Sequence, residues 1–190
     1  MKPLTASWLL AASLLIAQGS RAQTVLKGDS SYHGLQPHKD SLATVVARLG
    51  ERYHKGTGQS LASAHLSSGG SFWVVHNTWH ELYYRKLDAT CCLNDRGGSL
   101  FRIQFGSHAS VVSARGIRPG AATFAMVVEK YGPSPRGIQR TGQPRVSTII
   151  VNQKTTYTAL RYPHVSFVSR GRPVEGENLL ARKVEQIWLW

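Results

Sequence analysis

The sequence predicts an α+β fold of two tandem repeats, each a short helix packed on a three- to four-stranded antiparallel sheet. Three observations lead there. GLQPHKDSLATVVARLG at 34–50 aligns without a gap on GIRPGAATFAMVVEKYG at 116–132, an offset of about 82 residues that signals duplication. Both segments carry an apolar stripe at helical spacing: Leu42, Val45, Val46 and Leu49 in the first, Phe124, Val127, Val128 and Tyr131 in the second. Each is followed by short runs rich in β-branched and aromatic residues, broken by Gly, Asn, Asp and Pro.

In chain order, residues 1–22 have the three parts of a secretory signal peptide. Lys2 gives a positive start, Trp8 to Ala17 an apolar run, and Ser20 and Ala22 the small residues of a cleavage site. The apolar run is too short to span a bilayer. The expected mature protein starts at Gln23 and is exported, periplasmic or extracellular, with a first repeat over 23–108 and a second over 109–190.

Ser41 and Thr123 stand where a hydroxyl caps a helix N-terminus, and Gly50 and Gly132 where a left-handed residue ends one. A helix of two to three turns is unstable alone, so each stripe needs a larger surface to cover. Strands are expected at 71–77, 80–87, 88–93 and 99–105 in the first half, and at 146–152, 155–162, 164–170 and 183–190 in the second. Two long connections, 51–70 and 132–145, join helix to first strand, and loops of that length often bind partners.

The formal net charge is +13, falling to about +11 without the leader. It favours polyanionic neighbours such as acidic proteins, phosphate-bearing polymers or anionic lipid, and it also suits a merely solvated surface. Nucleic acid is not expected: the chain has no basic block, zinc-finger spacing or RNA-binding aromatic signature.

GIRPG, a short amphipathic helix, then YGPSP, with LRYPHVSFVSR and KVEQIWLW further on, resembles the opening and closing motifs of the SmpA/OmlA (BamE-like) outer-membrane assembly modules. It is similar, too, to the repeat of the beta-lactamase inhibitory protein family. The resemblance implies a duplicated helix-on-sheet scaffold that binds protein. It does not extend to a lipid-anchor cysteine or to a disulfide in each repeat, because the only cysteines are Cys91 and Cys92. Beta-lactamase inhibition is therefore not carried over.

Catalytic motifs for nucleophile, phosphate or metal chemistry do not occur. No cofactor is expected, and an envelope-acting hydrolase is a reading that only a spatial cluster would support. Cys91 and Cys92, adjacent on a strand, point to opposite faces. One is expected buried and the other half-exposed, with an intermolecular disulfide as the alternative. His76 and His80 have i, i+4 spacing but no evident third ligand. The strand aromatics read either as core or as partner anchors, with Arg85, Arg102 and Arg161 beside them.

The function expected is that of a non-catalytic protein binding a macromolecular partner through its sheet face and helix-to-strand loops. The contact residues expected are Arg136, Arg140 and Arg145, with Trp79 and Tyr84 as anchors. The alternative is a binder of anionic envelope polymer or lipid.

Overall fold

A computed structural model describes residues 23–65, 71–94, 98–139, 141–151 and 155–190, with backbone only at 60–65 and 71–76. The leader and Arg140 lie outside the described residues.

Two eight-residue helices form where the stripes predict them. For α1 (Leu42–Leu49), the Ser41 hydroxyl accepts from the amide of Thr44 at 3.4 Å, and Gly50, at φ 88°, closes the last turn. For α2 (Phe124–Tyr131), Thr123 and Gly132, at φ 79°, do the same work. One contact recurs at both ends: the Tyr84 hydroxyl donates to the carbonyl of Gly50 at 3.1 Å, and that of Tyr162 to Gly132 at 2.7 Å. Val45, Phe124 and Val127 are fully buried, so each stripe lies on the sheet.

The strands are β1 (Thr24–Val25), β2 (His54–His65), β3 (Ser71–Tyr84), β4 (Ala89–Asn94), β5 (Leu100–Phe105), β6 (Val111–Val112), β7 (Ser147–Val151), β8 (Thr155–Arg161), β9 (Val165–Arg170) and β10 (Gln186–Leu189). Eight of them form one closed sheet in the order β10-β5-β4-β3-β2-β7-β8-β9. Every neighbouring pair in it is antiparallel.

This corrects the expected fold class. The protein is mostly β, with one closed eight-stranded sheet, a small parallel β1–β6 pair and two short helices, rather than two helix-on-sheet repeats. The closing strand shows why. Trp188 on β10 faces Gln104 of β5 on one side and Ser166 of β9 on the other. Two separate sheets would leave four open edges, and unpaired edges carry unmet backbone groups. Pairing β10 with β5 and β2 with β7, through Ser60 and Val151, removes them.

The 51–70 connection is corrected as well: most of it is strand β2. Its Gly, Ser and Gln content reads as loop, yet all twelve of its residues pair with β3. Gly58 has a packing reason, since a Cβ there would stand 2.2 Å from the indole of Trp79. The expected strands at 71–77 and 80–87 are one continuous strand, β3.

Both faces of the sheet are covered. Leu82, Cys91, Ile103, Phe105, Leu160, Phe167, Ile187 and Leu189 join the helices in the larger core. Trp79, Cys92, Val151, Ala159, Val168 and Trp188 form a second cluster on the other face. The two cysteines do point apart, but neither is half-exposed; both are fully buried.

Burial pushes the Cys91 thiol up to about 12, with Cys92 adding to the effect. It pushes Cys92 up to about 11, against the opposing pull of the Arg102 guanidinium. Raised folded values mean that each thiol's contribution to stability is complete below its ordinary value near 9. That contribution fades as pH climbs through the folded values. Denaturation midpoints are therefore expected to hold steady to about pH 8.5 and to fall above it. Iodoacetamide at pH 8 should label neither cysteine in the native protein and both in guanidinium. Fast native labelling would contradict the burial.

Candidate binding site

Past the Gly50 cap, the chain turns through Glu51–Tyr53, with the Tyr53 amide bonded to the Glu51 carbonyl at 3.1 Å, and enters β2 at His54. His54 pairs with Tyr83, so the start of β2 lies beside the end of β3. There Arg85–Asp88 reverse the chain: the Leu87 amide bonds the Tyr84 carbonyl at 3.0 Å, and Asp88 takes φ 47°. The Asp88 carboxylate holds this turn by accepting from the His108 amide at 2.9 Å.

These two connections enclose a cleft of about 800 Å³. Leu49, Tyr53, Tyr84 and Leu87 make its apolar floor, continuous with the main core. The Tyr53 and Tyr84 rings are tilted against each other, with centroids 5.7 Å apart. Burial pushes the Tyr84 phenol up to about 12, so it stays protonated and bonded to Gly50. Arg52, His54, Arg85 and Lys86 form an exposed rim with one carboxylate, Glu51. Among the described residues, the side chains of Arg52, Arg85 and Lys86 have no hydrogen-bond or ion-pair partner. Three uncompensated cations around an apolar floor suit a ligand with an apolar anchor and flanking negative charge.

The sequence-expected residues are dispersed around this cleft. Tyr84, 3% exposed, is its floor. Trp79, 2% exposed, lies on the opposite sheet face, where its indole donates to Glu81 at 2.8 Å. Arg136 is exposed and its backbone bridges to Arg161 on β8, while Arg145 turns back to donate to the Pro135 carbonyl at 3.3 Å. The structure brings none of these arginines to the cleft. His80 is exposed on β3, and the side chain of His76 is not described.

The face that holds Trp79 contains a feature the sequence did not disclose. Arg102 is 4% exposed, with its guanidinium 4.7 to 5.4 Å from the ring centroids of Trp188, Trp79, Phe101 and Trp190. The Gln104 amide oxygen, turned to accept, lies 2.9 Å from its Nε and from one terminal nitrogen. No carboxylate among the described residues is in ion-pair contact with it. A bulge makes the cage possible. Leu93 pairs with Leu100 and Cys92 with Arg102, so Phe101 is an extra residue that breaks the alternation.

Arg52, Arg85 and Lys86 were also missed as a group. The only signal was basic residues in RYH and YYRKL at the two ends of the β2–β3 hairpin, and only the pairing register makes those ends neighbours. Compared with protein-family models, with curated proteins and with solved structures, the chain matches none.

Proposed function

We propose that the protein is an exported, non-catalytic binding protein that takes an acidic, apolar-anchored segment of a protein partner into the cleft between α1, β2 and the β3–β4 turn. One observation carries this reading: an apolar, tyrosine-lined floor ringed by three cations without internal partners. Glu51 is one carboxylate against these three cations, so a ligand supplies the remaining counter-charge, and an apolar group on it covers the floor. The formal charge of +13, about +11 without the leader, steers an acidic partner toward the surface.

A fluorescent peptide of alternating Glu and Leu should bind, and the triple variant Arg52→Gln/Arg85→Gln/Lys86→Gln should weaken it by about tenfold or more. A polyglutamate of equal length should bind more weakly and lose its affinity steeply with salt, because it fills the rim and leaves the floor bare. Equal binding of the two peptides would favour the anionic-polymer reading. Full binding by the triple variant, with loss in Arg136→Gln/Arg145→Gln, would move the contact to the 132–145 connection and overturn the cleft.

A further inference from the structure

Past the end of α2, Arg136 and Arg161 form a second group of unneutralised cations, 25 residues of chain apart but adjacent in space, and Arg161 sits beside an indole. Ser134, 2% exposed, sutures the two stretches: its hydroxyl lies 3.0 Å from the carbonyl of Arg136 and 3.1 Å from both the carbonyl and the amide of Arg161. The Arg161 guanidinium lies 5.0 Å from the ring centroid of Trp190, and Arg102 reaches the same ring at 5.4 Å. The indole is pinned by donating to the Ser166 hydroxyl at 2.7 Å.

Within the described residues, the guanidinium groups of Arg136 and Arg161 meet no carboxylate and make no hydrogen bond. Arg161 is half-buried, and Arg136 is close enough to repel it. Burial, and then that repulsion, hold the Arg161 guanidinium below its ordinary value. Two like charges held together by a backbone bridge and the Ser134 hydroxyl, and left unneutralised, are arranged for an anion from solution.

We propose that Arg136 and Arg161, beside Trp190, form a second anion site that takes a phosphoryl group carried on a flat apolar moiety. A phosphoryl dianion has enough charge and enough oxygens to engage two guanidinium groups at once, whereas a carboxylate neutralises only one. Trp190, only partly buried, gives the flat carrier a surface to pack on. Arg102 behind the indole adds positive potential without needing to touch the ligand. This site does not rest on the cleft reading: it uses other residues, another connection and another anion.

The test is isothermal titration of the full mature chain with phenyl phosphate, inorganic phosphate and benzoate, with tryptophan fluorescence as a second readout. Phenyl phosphate should bind tightest, inorganic phosphate more weakly, and benzoate at least about tenfold more weakly than phenyl phosphate. Arg161→Gln and Arg136→Gln should each cost about tenfold, while Arg118→Gln, an exposed arginine on the connection before α2, should cost nothing. Trp190→Phe should narrow the gap between phenyl phosphate and inorganic phosphate. Vesicles of phosphatidic acid in phosphatidylcholine distinguish a lipid-borne phosphoryl group from a soluble one, because lipid binding through this site must be competed by phenyl phosphate. Benzoate binding as tightly as phenyl phosphate would overturn the proposal. So would wild-type affinity in Arg136→Gln, which alters only an exposed side chain and keeps the test valid should Arg161→Gln fail to fold.

Discussion

Replacing Trp188 with alanine should cost about 3–5 kcal/mol of folding stability. It should lower the thermal midpoint by roughly 10 °C for a chain of this size. Among the described residues Trp188 is the largest fully buried side chain, and it sits on the strand that closes the sheet. Its ring meets Tyr157 at 5.3 Å, Trp190 at 5.9 Å and the Arg102 guanidinium at 4.7 Å, and its indole nitrogen donates to Gln186 at 2.7 Å. Alanine leaves a cavity, removes one wall of the arginine cage and strips the β5–β10 joint of the contact between Trp188 and Arg102. Trp188→Phe retains an aromatic wall and should cost about half as much. Chemical denaturation of the two variants checks this. A loss below about 1 kcal/mol for alanine would mean that the second cluster does not hold the sheet closed.

The helices were legible because their signals are local. Ser41 and Gly50 cap α1, Thr123 and Gly132 cap α2, and each stripe lies within eight residues. Most strand positions were legible for the same reason. The closure of the sheet was not, because it depends on β10 meeting β5 across more than 80 residues and on β2 meeting β7, through Ser60 and Val151. Strand β2 was hidden by composition: glycine at 58 is there for the Trp79 ring, a requirement that becomes visible only once β2 and β3 are paired. Arg102 was hidden by the bulge at Phe101, since strict alternation would have put Phe101 and Arg102 on opposite faces.

The cleft and the Arg136–Arg161 pair share one physical history. Each lies where a helix ends and the following connection meets the closing turn of a distant strand. Charge could be counted in the sequence, but its convergence could not. Arg136 was singled out as a cation in a Pro/Gly-rich connection, and its neighbour Arg161 was seen only as a strand residue. Ser134, the residue that joins them, was visible only as part of YGPSP, with no signal of this role.

Arg102 decides how far the second cluster depends on charge, and its variants should differ sharply. Arg102→Ala is expected to lose about 3 kcal/mol, whereas Arg102→Met should stay within about 1 kcal/mol of the wild type. Taking a guanidinium out of water without a counter-ion costs several kcal/mol. Four ring contacts at about 0.5–2 kcal/mol each, together with charge-assisted bonds to Gln104, offset that cost approximately. With charge nearly balanced, the net contribution of Arg102 is the volume its stem and planar head fill among Trp79, Phe101, Trp188 and Trp190. Methionine fills much of that volume and adds sulfur–aromatic contacts, and alanine does neither. A methionine variant as unstable as the alanine one would show instead that the cation itself organises the four rings. In that case its removal should also shift the tryptophan emission of the native state, which filling the volume alone would leave in place.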